Sequence, residues 1–149
     1  MIKRVVGAVV VCILLVGSYV VAAQVARPYR NGSVWNVGFI RVKAGMDNAY
    51  LSYLAGDWKR EQEALKSAGL ILSYKVLQTE PHNPGDFTLM LMTEYKDLAT
   101  MEANESKADA MVQKVIGDDQ KQMQGYRERL EIREVLGSRL AREIILQPR

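Results

Sequence analysis

Two carboxylates four residues apart, Asp57 and Glu61, lie in an aromatic stretch, DNAYLSYLAGDWKREQEAL (47–65), among Tyr50, Tyr53 and Trp58. Carboxyl groups against aromatic rings are material for acid–base chemistry, because burial penalises the charged form and raises the carboxyl pKa toward neutrality. At about 100° per residue, Tyr50, Leu54, Leu65 and Ala68 share one helical face, with Tyr53 and Trp58 on its flanks. That is the layout of a helix laid on its own sheet. Asp57 and Glu61 project near the middle of the stripe, where like charges at i,i+4 oppose each other. Three arrangements answer the conflict. Gly56 loosens the helix and turns both carboxylates to water; an arginine of a later helix, such as Arg127 or Arg133, pairs with them; or they border a pocket in which one carboxyl does acid–base work.

Other chemistry is sparse. His82, the single histidine, stands in EPHNPGD (80–86), where it is solvated or serves as a third candidate base beside Asp57 and Glu61. Cys12 is the single cysteine and lies in the apolar amino-terminal run. Zinc wants three or four His, Cys or carboxylate ligands, so no metal is expected, and Asp118-Asp119 lacks the spacing of a calcium loop. There is no Gly-x-Ser-x-Gly, no Gly-x-Gly-x-x-Gly and no phosphate loop, which removes most cofactor enzymes; no cofactor is expected. Asn31-Gly-Ser33 and Asn104-Glu-Ser106 match the glycosylation sequon, which matters only in a host with that machinery.

The chain opens MIKRVVGAVVVCILLVGSYVVAAQ, a basic start, an apolar run and small residues before Gln24. This is the plan of a secretory signal peptide cleaved near Ala23, with an uncleaved amino-terminal anchor as the alternative. Residues 1–23 are therefore assigned to the leader, and the protein is expected to be exported, periplasmic or extracellular, touching a membrane only if the leader stays. Lysines and arginines number 20 against 17 acidic residues, and without Lys3 and Arg4 the balance is 18 against 17. A nucleic-acid binder needs a basic field to neutralise phosphates, and none survives removal of the leader. About 126 residues remain, enough for one core and too few for two ordinary domains. With no cysteine left, that core holds the fold without disulfides.

Residues 24–33 (QVARPYRNGS) read as a linker, with Pro28 and Asn31-Gly32 as turn formers. A single domain fills 34–149. VWNVGFIRV is rich in aromatic and β-branched residues and predicts a strand. A helix spans 46–68, with Asp47 favourably placed in its first turn and Gly69 as its cap. LILSYKVLQT (70–79) is a second strand, EPHNPGD a turn, and FTLMLMTEY (87–95) a third strand antiparallel to the second. Leu98, Met101, Ala108, Met111, Val112 and Val115 predict a helix over 96–116. Gly117-Asp118-Asp119 interrupts it, and a polar helix follows through Met123, Tyr126 and Leu130. Ile132 and Leu136 fall off its stripe, and SRLAREIIL (138–146) alternates as a fourth strand.

The order is β-α-β-β-α-β, an α+β ferredoxin-like arrangement with helices on one face. VWNVGFIRVKAGMDNAYLSYL, WKREQEALKSAGLILSYKVL, DFTLMLMTEYKDLATME and LGSRLAREIIL together resemble the dimeric α/β-barrel superfamily, most closely an exported branch with no settled function. The resemblance implies two sheets facing each other across a dimer axis, with any site between sheet and helices or in the barrel mouth. A haem protein of that superfamily would offer an axial histidine on a helix, and His82 is on a turn.

Period-two alternation leaves a mixed sheet face carrying Lys75, Met90, Met92, Glu94, Arg139 and Glu143, too apolar for open water and too charged for a lone core. A second copy of the chain covers such a face in a homodimer. Its charges then fix register across the interface, or Lys75 with Glu143 and Arg139 with Glu94 line a cavity. Three functions are carried forward: an exported small-molecule-binding or auxiliary protein whose apolar or aromatic ligand lies near Tyr53, Trp58, Met90 and Met92; a cofactor-independent enzyme, oxygenase- or isomerase-like; and a structural envelope protein with no ligand.

Overall fold

The computed structural model describes residues 27–148. The expected leader, Cys12 and the first part of the expected linker lie outside the described residues. β1 (Tyr29–Val42), β2 (Ser73–Gln78), β3 (Leu89–Tyr95) and β4 (Arg133–Leu146) form one antiparallel sheet in the order β2-β3-β1-β4. A helical run separates β1 from β2: α1 (Asp47–Tyr53), a π-helical turn (Leu54–Trp58) and α2 (Lys59–Ser67). Between β3 and β4 lie α3 (Leu98–Ala103), α4 (Glu105–Val115) and α5 (Asp119–Leu130). This is the expected β-α-β-β-α-β order, and the antiparallel pairing of the second and third strands is as expected.

Local chemistry sets the boundaries. α2 stops where Gly69 takes φ of 70°, with Gly69 N–H donating to Lys66 C=O and Leu70 N–H to Leu65 C=O, both at 3.0 Å. That is a Schellman cap, which satisfies two of the last free carbonyls. Asp97 and Asp118 open α3 and α5 by accepting from the amides of Thr100 and Lys121.

Both outer ends of the sheet differ from expectation. β1 starts at Tyr29, inside the stretch expected as linker, and pairs Tyr29 with Leu146 and Asn31 with Ile144. Asn31-Gly32 forms an irregularity of the ladder there, not a turn, since the register shifts between Asn31 and Val34. β4 begins at Arg133, before the expected Ser138. Its register slips between Phe39 and Ile40, passing from Gly137 to Val135. Leu136 is thus the extra residue of a bulge whose Gly137 has φ of 142°, which is why Leu136 fits no helical stripe.

Ile40, Val42 and Leu89 from the sheet meet Tyr50 and Leu54 from the helical run as the core cluster, with Tyr53, Trp58, Leu91 and Ile132 packed against it. Tyr50 is 1% exposed, and burying so large a ring contributes on the order of 2–3 kcal/mol. The buried residues Tyr50, Leu54, Gln62 and Leu65, with half-buried Trp58 between Leu54 and Gln62, follow at intervals of 4, 4, 4 and 3 residues. A regular helix would place Asp57 or Glu61 in that row; the π turn adds one residue and rotates the row onto Trp58 and Gln62. Gln62 is satisfied by Thr93, whose Oγ1 donates to its Oε1 at 2.9 Å.

The sheet's other face is bare. The ladder places Lys75, Met92, Val37 and Arg139 in one row across it, and Ser73, Glu94, Trp35 and Ala141 in the next. This is the mixed face expected from the alternation. Val37 is already buried at 6% exposure, while Trp35, Phe39, Met90 and Met92 are half-buried.

Candidate functional site

A cleft of about 730 Å³ lies between the first helical run and the α4–α5 pair. Tyr53, Asp57 and Glu61 line one wall; Val112 and Ile116 come from α4 and its end; Met123, Tyr126 and Arg129 come from α5. The π turn builds the first wall, because it carries Asp57 outward and leaves Glu61 on the flank of the buried row. Asp57 is exposed and accepts from Arg60 Nη2 at 2.8 Å. The expectation that Gly56 loosens the helix and turns both carboxylates to water therefore holds for Asp57 and fails for Glu61.

Burial holds the Glu61 carboxyl above its ordinary range, opposed by the positive charge of Arg129. No ion pair closes between them; the ion pairs among the described residues are Arg41–Glu134 and Arg60–Asp57. Arg129 instead lays its guanidinium over the Tyr53 ring, Cζ 4.3 Å from the centroid. Burial raises Tyr53, with Arg129 lowering it and Glu61 raising it further. Tyr95 is raised by burial and then by Glu61. One step inward, Tyr50 stacks on Tyr53 at 5.8 Å and is pushed up to about 12 by burial, against the pull of Arg133. The arginine whose charge acts on Glu61 is thus Arg129, not Arg127 or Arg133, the examples offered by the pairing arrangement, and it acts without an ion pair.

A carboxyl whose pKa is raised by burial, beside a tyrosine and a guanidinium in a half-open cleft, can exchange hydrogen bonds with a polar group on a bound molecule. The cleft offers apolar walls for the rest of such a molecule.

The other candidate residues do not assemble with it. Trp58 is not a wall of the cleft; it packs on the core and meets Tyr74 edge-to-face at 5.4 Å. The sheet separates Tyr53 and Trp58 from Met90 and Met92, so the four do not share a ligand. Lys75 and Glu143 stand on opposite edge strands, and β1 lies between Glu94 and Arg139; neither pair closes within one subunit among the described residues. Lys75 Nζ sits 4.8 Å over the Trp35 ring, Glu94 accepts from Ser73, Ser33 donates to Glu143 at 3.4 Å and Arg139 Nη1 donates to Ser138 C=O. His82 lies on the exposed turn, far along the chain from the cleft; its backbone N–H and that of Asn83 donate to Asp86 Oδ2. Those donations depress the Asp86 carboxyl.

Among the described residues no group of three or more His, Cys, Asp and Glu is placed to hold a metal, and no helix is long and apolar enough to cross a membrane. Sequence reasoning missed Arg129, Val112 and Ile116 as cleft residues. The apolar spacing of Val112 was visible, but α5 carries no strong stripe to show which of its sides faces inward.

No model of a known protein family matches the chain, and no curated protein matches it. Solved structures do. A dimeric ferredoxin-like protein from an uncultured marine organism superposes with a TM-score of 0.50 at 11% identity, over 79% of this chain and 91% of that one. A second dimeric ferredoxin-like protein from an uncultured marine organism gives a TM-score of 0.38 at 17% identity, over 81% and 99%. A NIPSNAP-family protein of unknown function from Agrobacterium tumefaciens gives 0.47 at 12% identity, over 78% and 90%. The chain is an α+β protein of ferredoxin-like fold, the fold implied by the resemblance to dimeric α/β barrels.

Proposed function

We propose that the protein is an exported homodimer that holds a small organic molecule between its first helical run and α5. The observation that carries this reading is the cleft: at about 730 Å³ it falls within the span of roughly 300–1,000 Å³ usual for ligand sites. Glu61 and Arg129 both face it without closing on each other. Pairing through the bare sheet face is supported by the half-buried Trp35, Phe39, Met90 and Met92 and by charges of opposite sign on opposite edges, Lys75 on β2 and Glu143 on β4. An isologous interface can match such a distribution. It is further supported by the description of a neighbour of the same fold as dimeric. Export is supported by the basic, apolar and small-residue order of residues 1–23.

A second reading is a cofactor-independent enzyme, favoured by one observation: Glu61, raised by burial, is the kind of group that serves as a general acid. Native mass spectrometry of protein purified from its own host tests the first reading. Two subunits with a retained small mass are expected. A single subunit with no added mass would sink it, and an amino terminus other than one near Gln24 would remove the cleaved leader.

A further inference from the structure

We infer that the cleft selects an organic anion, whose carboxylate meets Arg129 and whose apolar body lies along Val112, Ile116 and Met123. The inference rests on the ligand-binding reading above and names the class of ligand. Two arginines hold buried donors without partners. Arg133 is 6% exposed, yet its Nε and Nη1 have no hydrogen-bond partner, and Arg129 Nε is buried and equally unpaired. Neither arginine takes part in an ion pair among the described residues.

Aromatic faces are their neighbours. Arg129 Cζ lies 4.3 Å from the centroid of Tyr53, and Arg133 Cζ lies 5.6 Å from Tyr50 and 5.4 Å from Tyr126. Ring faces attract a cation but do not replace the lost hydrogen bonds. A guanidinium offers five N–H groups in a fixed fork that matches a carboxylate.

The acids of the cleft have other partners. Asp57 pairs with Arg60, while Asp119 and Glu128 accept from the side-chain amides of Gln113 and Gln124, which leaves their charges in place; Glu61 faces Arg129 without pairing with it. Of the two cations that line the cleft, Lys121 and Arg129, Arg129 is the one whose fork keeps a buried donor without a partner. Arg133 stands against Tyr126, itself a cleft residue, and adds a further positive charge behind it.

The test compares three probes of one body, 4-phenylbutanoate, 4-phenylbutanol and 4-phenylbutylamine, by titration calorimetry on the full mature protein, with inorganic phosphate as a fourth. The carboxylate is expected to bind at least tenfold more tightly than the alcohol, with the amine weaker still and phosphate alone weaker than the carboxylate. Arg129→Met should erase the preference for carboxylate over alcohol. Arg133→Met should weaken carboxylate binding several-fold without lowering Tm, because it removes an unpaired buried charge; should that variant not fold, Arg129→Met decides. Equal binding of carboxylate and alcohol, phosphate as tight as the carboxylate, or an unchanged preference in Arg129→Met overturns the inference. So does no binding by any probe; a neutral mass retained by the native dimer would then leave the parent reading standing.

Discussion

Replacing Gly125 by alanine separates the stability of α5 from the placement of Arg129. A Cβ at position 125 would stand 2.9 Å from Arg129 Nη1 and 3.9 Å from its Cζ, with no other atom within 4 Å beyond the helix's own backbone. The obstruction is the far end of a flexible side chain, so the guanidinium moves and the helix does not. Alanine in a helix interior is favoured over glycine by roughly 0.5–1 kcal/mol. Loss of the guanidinium from the Tyr53 face costs about 1 kcal/mol, between the values for exposed and desolvated cation–π pairs. The two nearly cancel, so Tm should move by no more than about 4 °C. The Tyr53 hydroxyl should titrate at higher pH, because Arg129 is a group that lowers it. Thermal melting and ultraviolet tyrosine titration, with Tyr53→Phe to identify the signal, read both quantities. A loss of several kcal/mol would mean that the backbone has to move. A gain of the full helix term with an unmoved Tyr53 titration would mean that Arg129 does not lie on that ring.

Two further outcomes follow from the same geometry. Glu61 has a folded pKa above its ordinary value of 4.5, so the folded state holds that proton more tightly than the unfolded state does. Its contribution is fully present below the unfolded value and is lost as pH rises through the folded one. Glu61→Gln should therefore gain stability relative to the natural protein between pH 4 and pH 7, and denaturant midpoints that run parallel across that range would refute the burial of Glu61. Met92→Glu places a charge in the row that holds Val37 and Lys75, on the face away from the core cluster. It should halve the mass seen by light scattering while far-ultraviolet circular dichroism is kept; an unchanged mass would show that the sheets do not pair through this face.

The period of two was the most legible feature of the sequence. It sorted Lys75, Met90, Met92, Glu94 and Arg139 onto one face because β2, β3 and the middle of β4 run without irregularity. It failed where the ladders slip. Asn31-Gly32 has turn chemistry and forms an irregularity in β1, and Leu136 is apolar only as the extra residue opposite Phe39 and Ile40. Pairing between distant strands decides such features, and no local window contains it. The cap at Gly69 was legible because it depends on one residue and its own helix. Arg129 was not, because α5 has no buried residue to mark its inward side.

The site itself depends on a local excess of one residue. Tyr50, Leu54, Trp58, Gln62 and Leu65 are spaced 4, 4, 4 and 3, and a straight helix cannot hold that row against one sheet because it drifts away from 3.6 per turn. The π turn at Leu54–Trp58 absorbs the drift, and turns of this kind recur at functional positions. Removing Gly56 would leave the same five side chains spaced 4, 3, 4 and 3, the regular apolar stripe of an α-helix. A Cβ at Gly56 meets nothing within 4 Å, so no packing is lost with it. The deletion variant should fold with stability equal to the natural protein or up to about 1 kcal/mol higher, the helix penalty of one glycine. Tyr53 and Glu61 keep their places beside Leu54 and Gln62, so the change on the cleft side falls on Asp57 and on the wall segment between them, which is one residue shorter; retention of the proposed ligand should fall. A variant that unfolds would show that the extra residue is required for packing. One that keeps both stability and ligand would show that the segment it shortens is not a wall of the site.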